Sequence, residues 1–368
     1  MREVLTQLLE AYDRDEPVGV ATVVRTWRSA PRPAGASMLV TPDGEVVGSV
    51  SGGCVEGAVY EVASEVLADG ASRYETYGVS DESAFTVGLT CGGILEVFVE
   101  RVDRTTWPEL PGLAASIDAH EPVAVATVVS GPTAVGRHLV VRSDRVEGSL
   151  GSSRLDDAVA DDALGLLRSG TTGFLRYGSD GQRLERDLEV FVLSYAPPPR
   201  LIIFGAIDFS AALAKAGKFL GFHVTVCDAR PVFATPKRFP DADEVVVDWP
   251  NRWLDGAEVD ERTVICVLTH DPKFDVPALQ VALRTPAAYI GAMGSRRTHE
   301  DRMVRLRAAG LTEKELARLH SPIGLDIGAR TPEETAVSIL AEVVRERWGG
   351  STRPLAEAEG PIHLGVAR

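Results

Sequence analysis

Cysteine is scarce: Cys54, Cys91, Cys227 and Cys266 are spread over 368 positions with no C-x-x-C pair. That usage excludes a disulfide scaffold and fits a reducing compartment. Long apolar runs are missing as well, with nothing approaching the ~18 residues of a membrane span. The opening Met-Arg-Glu-Val-Leu-Thr has an acid in its first turn and no apolar core, so no secretory signal is expected and the cytoplasm is the expected location. Positive charge is deficient too. A net charge of −15 excludes a general binder of nucleic acid or anionic membrane, and any anionic ligand must be met by local basic clusters. The rest of the composition, 45% hydrophobic and 25% charged, is that of a soluble globular protein. Its length suggests two or three domains, each able to bury a core.

What is present is organised around Gly48-Ser-Val-Ser-Gly-Gly-Cys-Val-Glu-Gly-Ala-Val59. Glycines 48, 52, 53 and 57 offer bare backbone beside the thiol of Cys54, with room for a ligand. A helix predicted to start just after Cys54 would lower the pKa of that thiol if its dipole reached it. One hundred residues later, Gly148-Ser-Leu-Gly-Ser-Ser-Arg-Leu-Asp-Asp-Ala-Val159 repeats the frame with Arg154 at the cysteine position and the glycine pair broken. Other blocks repeat in the same order. Pro17-Val-Gly-Val-Ala-Thr-Val-Val24 matches Pro122-Val-Ala-Val-Ala-Thr-Val-Val129, and Leu95-Glu-Val-Phe-Val99 matches Leu188-Glu-Val-Phe-Val192. A single long-period duplication of this kind predicts a pseudo-symmetric domain of two mixed α/β halves rather than a solenoid. The second copy lacks any equivalent of Cys54, of Cys91-Gly92-Gly93 and of the Arg32-Pro33 loop. A buried thiol behaves as a small hydrophobe, but a core thiol needs no bare backbone beside it. Cys54 and Cys91 are therefore candidates to handle a soft metal or sulfur.

Ala196-Pro-Pro-Pro-Arg200 reads as a stiff linker. The first domain is expected over residues 1–196, in halves of about 1–104 and 105–196, the second over 200–348, and a loose tail over 349–368. Beyond the linker, Leu201 to Phe204 is a buried-type strand ending at Gly205, and a helix and the strand Val224 to Cys227 follow. Strands alternate with helices from there on, so a parallel, doubly wound, Rossmann-like sheet is predicted. The dinucleotide fingerprint is degenerate. Gly205-Ala-Ile-Asp-Phe-Ser210 keeps only the first glycine, with Ile207 where backbone should approach a pyrophosphate. Asp228, 23 residues after Gly205, stands either where an acid would hold a ribose hydroxyl or as a strand-end acid in a turn. His270-Asp271 ends another strand and reads either as part of a ligand edge or as a capped turn. Gly291-Ala-Met-Gly-Ser-Arg-Arg297 joins a strand to a helix, with Gly294, Ser295, Arg296 and Arg297 placed to meet an anion. Five arginines face two acids between Gly291 and Ala309, a local balance of +3.

Several of these stretches resemble the XdhC/CoxI family: Ser29-Ala-Pro-Arg-Pro-Ala-Gly35, the Gly48–Glu56 stretch, Cys91-Gly-Gly93, Thr269-His-Asp271, Tyr289-Ile-Gly-Ala-Met-Gly-Ser-Arg296 and Ser321-Pro-Ile-Gly-Leu-Asp-Ile-Gly-Ala-Arg-Thr-Pro332. The resemblance spans both expected domains. It implies an accessory protein for molybdenum hydroxylases such as xanthine dehydrogenase, without catalysis of its own. Such a protein binds the molybdenum cofactor (molybdopterin or its nucleotide form), assists its sulfuration and passes it to the apo-hydroxylase. A cysteine desulfurase is an implied further partner, and a homodimer is expected. Cys54 and Cys91 would then meet the metal. Gly52, Gly53, Gly92, Gly93, Arg32, Gly205, Asp228, His270, Asp271, Gly294, Ser295, Arg296 and Arg297 would serve the rest of the cofactor. The chain departs from the family's usual Gly-Ala-Gly-His-Val-Gly at Gly205–Ser210, and NAD(P) is not an expected ligand. Two other readings stay open, an NAD(P)-dependent oxidoreductase and a non-catalytic regulator whose degenerate Rossmann domain only mediates assembly.

Overall fold

The computed structural model describes residues 1–27, 32–78 and 93–358. Cys91 and Gly92, the beginning of the Ser29–Gly35 loop and the last ten residues of the expected tail lie outside the described residues. The chain divides into two compact units, with the boundary between Pro197 and Pro198.

The first unit repeats one pattern twice. Helix α1 (Leu5–Asp13) leads into β1 (Val18–Trp27), β2 (Ser37–Val40) and β3 (Val46–Gly48), and these are followed by α2 (Glu56–Asp69), β4 (Arg73–Tyr77) and β5 (Ile94–Val102). The second half runs α3 (Leu110–Asp118), β6 (Val123–Ser130), β7 (His138–Val141), β8 (Val146–Gly148), α4 (Ser153–Ser169), β9 (Gly173–Tyr177) and β10 (Leu188–Tyr195). The two antiparallel sheets have matching orders, β3-β2-β1-β5-β4 and β8-β7-β6-β10-β9. A period of two in β1 sorts its side chains between two cores. Val18, Val20 and Val24 meet Val125, Val140 and Phe191 between the sheets, while Ala21 and Val23 pack against Val59 and Ala63 of α2. The outer face of the second sheet packs likewise against α4.

The second unit holds β11 (Arg200–Phe204), α5 (Asp208–Phe219), β12 (His223–Cys227), β13 (Glu244–Val246), α6 (Pro250–Asp255), β14 (Val264–Val267), α7 (Pro272–Ala282), β15 (Tyr289–Ala292), α8 (Arg296–Ala308), α9 (Glu313–Leu316), β16 (Leu319–His320) and α10 (Pro332–Trp348). All pairings are parallel, in the order β13-β12-β11-β14-β15-β16. Taken along the chain, this is the 3-2-1-4-5-6 order of dinucleotide-binding folds, whose ligand crevice lies at the carboxyl ends of the strands. Leu201 and Ile203 face α5 and α10, and Ile202 and Phe204 face α7 and α8, so β11 is apolar throughout because both its faces are covered.

Candidate functional site

In the first unit the glycine-rich turn wraps around its own acid. Glu56, the first residue of α2, accepts through Oε1 from Ser49 Oγ at 2.6 Å, Ser51 N at 2.8 Å and Gly52 N at 2.9 Å. Its Oε2 accepts from Ser51 Oγ at 2.5 Å and Gly53 N at 2.8 Å. The backbone donors that the sequence suggests for a ligand are therefore held by a carboxylate already in the chain. Burial opposes the charge on Glu56, but the hydroxyls of Ser49 and Ser51 and the backbone donors bring its pKa down to about 2. Gly52 and Gly53 have φ of +77° and +115°, and a Cβ on either would meet nothing within 4 Å. The sign of φ, rather than crowding, is what demands glycine there, and the space beside them stays open. Cys54 stands exposed on this turn.

The second copy keeps the device in reduced form. Asp156 takes the place of Glu56 and accepts from Ser149 Oγ at 2.8 Å and Leu150 N at 2.7 Å. Where Cys54 stands in the first copy, Arg154 reaches Asp180 at 2.9 Å. Arg32 pairs with Glu3, and Gly93 is buried just ahead of β5. Sequence comparison of the copies weighs the glycines and the cysteine and misses the acid, although Glu56 and Asp156 occupy matching positions. It also misses an asymmetric pair between the sheets. Glu100 meets His138 at 3.1 Å, and Trp107 stacks on His138 with ring centroids 3.9 Å apart.

At the carboxyl edge of the parallel sheet, Gly205 has φ of +110°, and a Cβ there would lie 2.9 Å from Thr269 Cγ2. Ile207 is extended, with φ −124° and ψ 172°, so this position requires no positive φ and its β-branched side chain sits without strain. Asp228 is 2% exposed. It accepts from Ala206 N at 2.7 Å, from Arg230 N and Nε at 2.9 Å each, and from Arg230 Nη2 at 2.7 Å. Burial works against its charge, and the Arg230 guanidinium with the backbone donors holds its pKa below the usual range. A ribose hydroxyl would have to displace these partners. Asp208 opens α5 with its carboxylate exposed, and Arg238 reaches it at 3.4 Å.

Asp271 caps α7, accepting from Lys273 N at 3.1 Å, and His270 beside it is exposed. Ser295 caps α8, accepting from Thr298 N at 3.1 Å. Arg296 and Arg297 open that helix, exposed and without a hydrogen-bond or ion-pair partner among the described residues. The local surplus of +3 is divided. Arg302 is buried against Asp275 at 3.0 Å, and Arg307 pairs with Glu313 at 2.7 Å. Burial raises the pKa of Asp275 above the usual range, and Thr269 and Arg302 offset only part of that rise. The thiols of Cys227 and Cys266 are buried, and desolvation pushes both pKa values up, that of Cys227 to about 12. They are packing groups rather than reactive ones. Among the described residues no cluster of His, Cys, Asp and Glu could hold a metal ion by itself, and no helix is long and apolar enough to cross a membrane. Cys54 and the Arg296–Arg297 pair belong to different units.

Comparison with known proteins accounts for both units. The model of the XdhC and CoxI family matches residues 11–78 and 116–178, one stretch in each half of the first unit. The model of the XdhC Rossmann domain matches residues 201–343. The chain is 30% identical over 346 residues to a protein of Bacillus subtilis described as a probable subunit of xanthine dehydrogenase, covering 94% of this chain and 96% of that protein. It is 27% identical to the molybdenum cofactor insertion chaperone PaoD of Escherichia coli, over 94% of this chain and 88% of the chaperone. A crystal structure described as a xanthine dehydrogenase from Bacillus halodurans superposes with a TM-score of 0.64 at 27% identity, covering 96% of this chain and 97% of that one.

Proposed function

The chain belongs to the XdhC and CoxI family, and from that premise we propose that it matures a molybdenum hydroxylase of the xanthine dehydrogenase type. In this reading it binds the molybdenum cofactor as cargo, keeps it while its terminal sulfur is installed, and delivers it to the apo-enzyme in the cytoplasm. It acts as a homodimer beside a cysteine desulfurase. The observation that carries the reading is the near full-length similarity to a molybdenum cofactor insertion chaperone. The chemistry of the exposed groups fits such a cargo. Cys54 offers a soft donor on an open turn, suited to a sulfur-rich metal centre. Arg296 and Arg297 offer unpaired guanidinium groups to a phosphate.

The oxidoreductase reading has the strand order in its favour. The ion pair of Arg230 with Asp228 at 2.7 Å and the engagement of the Ala206 N–H weigh against it. The test is co-expression of an apo-hydroxylase with and without the chain, with molybdenum and cyanolysable sulfur counted in the purified hydroxylase. Both should rise when the chain is present. Equal loading in its absence contradicts the proposal.

A further inference from the structure

We propose that Arg302 is the positioning residue of the anion seat at the start of α8, a step that rests on the reading of Arg296 and Arg297 as phosphate-binding groups. Arg302 lies 3% exposed, six residues beyond Arg296 on the same helix. Its Nη2 donates to Asp275 Oδ2 at 3.0 Å and to the carbonyl of Met293 at 2.7 Å, and its Nη1 donates to Ser321 Oγ at 3.0 Å. The other oxygen of Asp275 accepts from Thr269 Oγ1. One guanidinium thus ties together the turns that follow β14, β15 and β16, all on the edge of the sheet where ligands bind.

A buried charge is a costly way to fill a core, and apolar residues of similar volume commonly do as well or better. What the planar fork adds is a fixed geometry among its partners. It grips the carbonyl of Met293, two residues before the Ser295 cap that sets where α8 begins. Gly294 lies against it, and a Cβ there would stand 3.5 Å from Arg302 Nη2 and 3.0 Å from Thr298 Cγ2. Arg302 makes no contact with the anion in this account. It holds the strand-to-helix turn from which Arg296 and Arg297 project, and couples that turn to Thr269-His270-Asp271 through Asp275.

The experiment uses the full chain, with inorganic pyrophosphate as the probe in calorimetry well below each melting point, together with backbone hydrogen exchange. Arg302→Lys keeps the charge and loses the fork. It should weaken pyrophosphate binding on the order of tenfold and speed exchange in residues 269–275 and 293–298 together. Ser321→Ala, which removes one partner and keeps the ion pair, should do the same to a smaller degree and serves if the lysine variant does not fold. Wild-type affinity in these folded variants, or faster exchange in only one of the two segments, overturns the proposal. Arg296→Ala and Arg297→Ala separate it from the reading beneath it. If both bind pyrophosphate as the wild type does, the phosphate role of the pair falls and the proposal falls with it, whereas weakened binding in both beside wild-type affinity in Arg302→Lys overturns the positioning role alone. Wild-type protein that binds no pyrophosphate overturns both.

Discussion

Gly53 donates its backbone N–H to the carboxylate of Glu56 at 2.8 Å, closing the cysteine-bearing turn on an acid of its own chain. That carboxylate collects further donors from Ser49, Ser51 and Gly52. Glu56→Gln replaces a charged acceptor by one carbonyl oxygen and an NH2 group that faces donors. Hydrogen bonds to charged groups contribute about 2 kcal/mol, and a loss of that order should appear as a lower melting temperature of the variant. The pH dependence follows in sign. The folded-state pKa, about 2, lies below the ordinary 4.5, so the stabilisation is complete above about 4.5 and is lost as pH falls toward 2. A wild-type melting temperature that declines across this window, with a flatter decline in the glutamine variant, is the expected record.

Cys54→Ser should lower bound molybdenum while leaving the melting temperature nearly unchanged, because the side chain is exposed. Cys91→Ser is expected to act in the same direction. Arg154→Ala, at the matching position of the second copy, should leave metal content as in the wild type. Elemental analysis of the purified variants beside thermal melts distinguishes these outcomes.

The start of α8 makes a separate prediction. Charge-assisted pairs contribute roughly 1.5 to 3 kcal/mol, so Arg296→Ala should weaken binding of the phosphorylated pterin by about 10- to 100-fold. An unchanged dissociation constant would make Arg296 a solvated surface residue.

Nicotinamide nucleotides should bind no tighter than about 1 mM. The obstacle is geometric more than electrostatic. Arg238, 3.4 Å from Asp208, softens the repulsion that a bare acid at the start of α5 would exert on a pyrophosphate. The stronger hindrance is Asp228, whose oxygens are taken by Ala206 N and Arg230. Calorimetry with NAD(H) and NADP(H), with and without Mg²⁺, checks it, and micromolar binding without metal would return the oxidoreductase reading to first place.

The architecture is largely legible in residue patterns. The alternation of Val18, Val20 and Val24 against Ala21 and Val23 marks a strand covered on both faces, and the capping box of Thr331 and Glu334 marks the start of α10. The duplication is visible as matched blocks. The site is less legible, for physical reasons. A glycine pair advertises free N–H groups, but only three-dimensional placement shows that Glu56 fills them. Arg302 reads as one more charge in a basic run until burial assigns it to Asp275. The pair of Glu100 with His138 joins residues 38 apart on different sheets. Leu193 and Ser37 stand at the matching positions of the other copy, so periodicity alone carries no sign of it.

The measurement that bears most directly on the cargo is metal and pterin analysis of the full chain purified from a molybdenum-replete host. Molybdenum and pterin in near-equal amounts, both reduced in Cys54→Ser, are the predicted result. Neither species above the level found with an unrelated protein purified in parallel would contradict the assignment of the molybdenum cofactor as cargo.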